Sequence, residues 1–130
     1  IGFKVTVDSL DTVPFRQARE EGMYPAGIQG HTFRYDPDDY FARNLHSKSQ
    51  FNQTFSRWYN ERYDRLVEEA KRTADMDRRR ALYTEAWNIV NAELPLIPLY
   101  RRQHNWVMRP NVDVVHWPND LLELRWVTLR

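Results

Sequence analysis

The densest gathering of reactive side chains lies at residues 31–41, HTFRYDPDDYF, with one histidine, one arginine, three aspartates and four aromatic rings. Such a set could hold a metal, supply acid catalysis, face a ligand, or start a helix. A calcium loop needs oxygen ligands at alternating positions around a central glycine. Asp36, Asp38 and Asp39 miss that spacing and enclose Pro37. Helix initiation accounts for the acids better. Asp36 stands where an N-cap would, its carboxylate accepting orphan N–H groups of a first turn. Pro37 follows at the first helical position, where a missing N–H does no harm. Asp38 and Asp39 then favour the positive helix end by about 0.3–1 kcal/mol each. Tyr40, Phe41 and Leu45 give that helix an apolar stripe.

Elsewhere, reactive residues are scattered. His31, His46, His104 and His116 form no i, i+4 pair, so surface or hydrogen-bonded roles are expected rather than metal ligation. The chain has no cysteine, which excludes a disulfide framework, a zinc–thiolate site and a cysteine nucleophile. All four glycines (Gly2, Gly22, Gly27, Gly30) precede residue 31, so neither a glycine-rich phosphate loop nor a G-x-S-x-G elbow can be written. Eighteen acids offer many carboxylate pairs, but spacing alone cannot set two of them ~5–9 Å apart across a cleft. Glu68, Glu69, Glu85 and Glu93 fall on polar sides or ends of expected helices, where solvated faces are the default. Arg78, Arg79 and Arg80 follow Asp75 and Asp77, and read as i, i+3 and i, i+4 pairs within one helix. A net charge of +1 gives no argument for nucleic acid. Trp58, Tyr59, Trp106 and Trp117 lie in or beside expected loops and strand ends. They line a ligand cleft or interface, or they anchor loops. On residues alone, binding is favoured over catalysis.

The elements that position these groups belong to one domain's worth of chain, 130 residues with 42% hydrophobic content. No apolar run approaches the ~18 residues of a membrane span, and no signal peptide is read at the start. The chain opens directly in strand-like alternation, GFKVTV around Phe3, Val5 and Val7, without an initiator methionine. A piece of something longer is therefore expected. A helix follows in DSLDTVPFRQAREEG, between Pro14 and Gly22, and MYPAGIQGHTF reads as a short irregular strand. This βαβ-like opening points to an α/β layer. SKSQFNQTFSRWYN, polar and aromatic without period, reads as a long loop. Asn60 caps a helix with Tyr63, Leu66, Val67 and Ala70 on one face, and Asp75 caps a second with a broad stripe from Leu82 to Val90. Pro95 ends it. LPLIPLYRRQHNWVMRP gives two short extended runs, and NVDVVHW and LLELRWVTLR close the chain as strands or extended arms. The fold class is α/β, or an α+β mix.

From Asn60 onward the chain resembles the extracytoplasmic solute-binding proteins of ABC importers, family 5, the oligopeptide, dipeptide and nickel type. Asn60, Tyr63 and Asp64 match the family's Asn-x-x-Tyr-Asp helix start. Asp75, Arg79, Leu82 and Tyr83 match its next pattern, Pro95, Pro98, Leu99 and Tyr100 its proline-punctuated strand, and Arg109 to Val112 its Arg-Pro-Asn-Val. The upstream half fits more loosely, with GIQGHTFRYDPDDYF standing where the family has a strand end, an Asp-Pro and a helix.

That resemblance implies a periplasmic-binding-protein fold of type II, with two lobes that trap solute between them. Residues 1–112 would be part of the second lobe, and residues 113–130 a return segment packing on the first. It implies binding without catalysis, no cofactor and no metal, a location outside the cytoplasm, and delivery of solute to a membrane permease. His31, Thr32, Phe33, Arg34 and Tyr35 would contact the solute. Peptide-binding relatives carry an aspartate shortly before the Asp-Pro, which pairs with the peptide amino terminus. Here that place holds Phe33, beside Arg34, and the usual tryptophan is replaced by Gly30 or His31. A cationic amino terminus beside Arg34 would be poorly compensated. Candidate solutes are therefore a differently oriented oligopeptide, an opine-like anion or an oligosaccharide. The rival readings are a carboxylate-dependent hydrolase and a stand-alone interaction module offering LLELRWVTLR as an edge strand.

Overall fold

The computed structural model describes residues 2, 4–30, 36–100, 103, 105–117 and 123–130. Its centre is a helical hairpin, α4 (Glu61–Arg72) and α5 (Met76–Glu93). Asn60 caps α4, accepting from the Tyr63 N–H, and Asp75 caps α5, accepting from the Arg78 N–H. Each such cap stabilises its helix by about 1 kcal/mol. Only Thr73–Asp75 separate the helices, and side-chain pairs Asn60–Glu93, Arg62–Glu85 and Arg78–Glu69 show that they run antiparallel. At the far end Leu94 turns into the left-handed region (φ 49°), and Pro95 follows.

The inner faces of the hairpin make the core, as the period-3.6 pattern requires. Tyr63, Val67, Ala86 and Val90 bury against Leu45, while Ala70, Leu82 and Tyr83 form a neighbouring cluster. Leu45 comes from a third helical segment, α2 (Asp38–Tyr40), which widens without a break into a π-helical turn at Phe41–Leu45. Phe41 joins the two clusters, its ring 4.8 Å from that of Tyr83 and 6.4 Å from that of Tyr63. Tyr63 also donates its hydroxyl to the Phe41 carbonyl at 2.8 Å.

The stretch read as a long loop contains a helix. Ser49 caps α3 (Gln50–Thr54), its hydroxyl accepting from the Asn52 N–H. Upstream, α1 (Thr12–Glu21) forms as expected and ends at Gly22. Gly22 sits at φ 70°, in the left-handed region that other residues rarely adopt, so glycine suits the position. Ala18 of α1 is buried, and Arg19 lies 5.3 Å over the Phe51 ring of α3.

The expected βαβ opening does not form among the described residues. Residues 4–10 and 23–30 carry no strand pairing, and Val5, Val7 and Ile28 are each more than 70% exposed. Alternation marks which side chains share a face, but a strand also needs a neighbouring edge to bond to. The described residues of the 97–108 runs are likewise unpaired, with Ile97, Leu99 and Val107 exposed. The β content lies at the end of the chain. β1 (Val112–Asp113) pairs antiparallel with β2 (Thr128–Leu129), and Arg130 binds Asp113 through its guanidinium. The mixed α and β content agrees with the coarse fold class, with strands contributing far less than expected among the described residues.

Candidate functional site

The expected solute-contacting residues, His31, Thr32, Phe33, Arg34 and Tyr35, lie outside the described residues. What the structure does describe is how the chain is held on either side of them. Before the segment, Gln29 accepts from Arg19 of α1 at 3.3 Å. After it, Asp36 meets Arg79 of α5, whose Nη2 donates to both carboxylate oxygens at 2.7 and 2.9 Å.

Asp36 also performs its expected capping role, accepting from the Asp38 N–H at 2.8 Å with Pro37 in helical conformation. The ion pair beyond it corrects the reading of the arginine run. Arg80 does pair within its helix, with Asp77 at 3.3 Å. Arg78 instead crosses to Glu69 of α4 at 2.7 Å, and Arg79 reaches Asp36. A helix sends successive side chains about 100° apart, so one run of three cannot all share one local partner.

The Arg79 guanidinium and the Asp38 N–H hold the Asp36 carboxyl below the usual aspartate range. The sign follows directly. A folded-state pKa below the unfolded one adds stability above the ordinary aspartate value of ~3.9, lost as pH falls through the lower folded value. Acid titration by NMR should therefore show the Asp36 carboxyl among the last aspartates to protonate. Arg79→Gln should return it toward the ordinary range, and no movement on that substitution would contradict the ion pair.

Beside this ion pair runs a groove of about 360 Å³, lined by Pro37, Phe41, Met76, Arg80, Tyr83 and Trp87 among others. Its surface is largely apolar, and Arg79 and Arg80 also line it. A second cleft of about 380 Å³ lies where α4 starts and α5 ends, with Asn60, Arg62, Glu85 and Glu93 in its lining. Its two carboxylates are occupied. Glu93 accepts from the Trp58 indole and from Asn60, each at 2.6 Å, and Glu85 holds Arg62 at 2.6 Å. The acids expected on solvated faces thus tie helix to helix, and these two do not stand as an acid and base pair.

Among the other candidates, His46 is buried and hydrogen-bonded. Its Nδ1 accepts from the Lys48 N–H, and its Nε2 lies 3.3 Å from Glu68. Trp58 anchors its loop, packing edge-on to Tyr63 with ring centroids 4.9 Å apart. Tyr59 is exposed, and Trp106 meets His116 edge to face at 5.8 Å. No group of three metal-ligating side chains is found among the described residues. Arg79 gives no local signal in the sequence of its pairing with Asp36. Its partner stands 43 residues away in sequence, beyond any local spacing rule.

Comparison with known proteins finds relatives along most of the chain. A probable deoxycholate-binding periplasmic protein of Escherichia coli is 30% identical over 122 residues, 92% of this chain and 22% of that protein. A dipeptide-binding protein of Pseudomonas aeruginosa is 31% identical over 117 residues, 89% of this chain and 21% of that protein. A heme-binding protein A of Haemophilus influenzae is 31% identical over 100 residues, 76% of this chain and 18% of that protein. The chain spans about a fifth of the length of these curated relatives. No family model matches the chain, and no solved structure matches it significantly.

Proposed function

Along nine-tenths of its length the chain belongs with the periplasmic solute-binding proteins of family 5, and we propose that it forms part of the substrate-binding component of an ABC importer. Like those relatives, it works outside the cytoplasm. The observation that carries this reading is similarity over most of the chain to proteins named for what they bind. In this reading, residues 1–112 belong to the second lobe of a type II periplasmic-binding fold, and residues 113–130 return toward the first. Exposed Val5, Val7, Ile28, Ile97, Leu99 and Val107 support it, since a further body of protein would cover such surface. Solute enters between the lobes, hinge closure buries it, and the closed form is offered to a membrane permease.

The solute is a peptide-like or other small polar molecule, met by His31, Thr32, Phe33, Arg34 and Tyr35. The names of the three relatives span deoxycholate, a dipeptide and heme. Phe33 and Arg34 offer no negative partner for a free peptide amino terminus. Calorimetry on the gene product carrying this chain tests both levels. Among trialanine, an opine-type amino-acid conjugate and maltotriose, at least one should bind. N-acetylation of trialanine should change its Kd by less than about threefold, since removing one member of a buried ion pair costs ~3–5 kcal/mol where such a pair exists. Tight binding of free trialanine that acetylation abolishes would sink the reading of Phe33 and Arg34. Silence from all three solute classes would sink the binding function.

A further inference from the structure

We propose that His46 is a pH-sensitive latch, whose protonation moves its Nδ1 from a bond within its own loop to a bond with α4. His46 follows the π-helical turn and precedes Ser49, the cap of α3. Its side chain is 11% exposed, so a lost partner is not simply replaced by water. The Lys48 N–H lies 3.1 Å from Nδ1. A backbone N–H can only donate, so Nδ1 of the neutral ring carries no proton. The ring proton therefore sits on Nε2 and is donated to Glu68 of α4, 3.3 Å away.

A second proton has an acceptor standing beside it. Asp64 of α4 lies 3.8 Å from Nδ1, just beyond hydrogen-bond reach. Its Oδ1 already accepts from the Ser47 N–H at 3.0 Å, which keeps the carboxylate next to the ring. Protonation of Nδ1 sets two donors against each other, the new ring N–H and the Lys48 amide. A small rotation of the ring gives its N–H to Asp64 and leaves the Lys48 amide without its acceptor. The imidazolium then binds α4 twice, through Asp64 and through Glu68. The charged groups facing the ring are these two carboxylates and Lys48. The Lys48 ammonium is 86% exposed and 4.0 Å from the same Glu68 oxygen, so it offsets little of their attraction. From α3 the neutral Asn52 amide donates to the His46 carbonyl at 3.4 Å, which holds the backbone while the ring turns. Histidine suits this exchange because it both donates and accepts when neutral and only donates when charged. One proton thus decides whether the turn before α3 is closed on itself or tied to the hairpin.

NMR on the gene product carrying this chain, with its ring nitrogens labelled, tests each step. At the alkaline end of the ring's titration, Nδ1 should show the shift of an unprotonated nitrogen. As the ring gains its proton, the Lys48 amide should lose about fivefold or more of its protection from exchange, after correction for the intrinsic effect of pH. The Tyr63 amide, bonded to Asn60, should keep its protection. His46→Asn offers Lys48 a neutral acceptor in an Asx turn, so the turn should persist and the pH step should vanish. Asp64→Asn keeps an acceptor for Ser47 but lacks the negative charge, so the step should require a lower pH. If His46→Asn folds poorly, the parent protein and Asp64→Asn carry the test by themselves. A neutral ring protonated on Nδ1, or Lys48 protection that ignores the ring's titration, would overturn the latch. An unshifted step in Asp64→Asn would overturn the transfer of Nδ1 to Asp64.

Discussion

Tyr63→Ala should cost about 3–5 kcal/mol of folding stability, the range for truncating a large buried aromatic side chain. The side chain is fully buried at the meeting point of three elements. Its ring stacks near Phe41 of the π turn and takes Trp58 edge-on, with centroids at 6.4 and 4.9 Å. Its hydroxyl donates to the Phe41 carbonyl, and burial pushes its pKa well above the ordinary tyrosine value. Tyr63→Phe isolates that hydrogen bond and should cost about 1 kcal/mol, since only one carbonyl is left without its donor. Chemical unfolding of the gene product, followed by circular dichroism, measures both. A loss below about 1 kcal/mol for the alanine variant would show that Tyr63 is not enclosed as described.

The hairpin that supports this residue is readable in the chain because its signals are local. Asn60 and Asp75 stand three residues before the amides they cap, and the buried stripe repeats every three to four residues. Asp36 and Pro37 announce a helix for the same reason. The pieces that were not legible depend on partners far away in sequence. Five residues of α3 are too few for a period, and only Ser49 marks its start. Arg79 shows no local sign of choosing Asp36 over Asp75, which lies on its own helix. GFKVTV has strand alternation, but alternation names a face and not the strand that would pair with it. Of the candidate site, residues 31–35 fall outside what the structure describes, while both flanks, Gln29 and Asp36, are placed. The resemblance read from Asn60, Tyr63, Asp75 and Arg79 agrees with relatives found over nine-tenths of the chain.

Asn52→Leu should cost about 2–4 kcal/mol, through polar groups rather than through a cavity. Asn52 is fully buried, and its amide serves four partners. Its Nδ2 donates to the Trp58 carbonyl at 2.5 Å and to the His46 carbonyl at 3.4 Å. Its Oδ1 accepts from the Trp58 N–H at 3.1 Å and from the Ser56 hydroxyl at 2.5 Å. One side chain thus closes the loop from His46 to Trp58, and leucine would leave those backbone groups without partners. Trp58 passes the damage on, since its indole holds Glu93 and Glu93 holds Asn60, the cap of α4. Asn52→Asp separates this network from simple packing. It keeps an acceptor toward Trp58 and Ser56 but turns a second oxygen toward two carbonyls, where a negative charge is opposed. Burial and those carbonyls should raise the pKa of the new carboxyl above the ordinary aspartate value. A raised folded-state pKa means the protonated form fits better, so the variant should recover stability relative to the parent as pH falls below it. Unfolding curves for parent and variant across acid pH should therefore converge as the pH is lowered. A gap that stays constant with pH would show that the Asn52 donor does not face the His46 and Trp58 carbonyls.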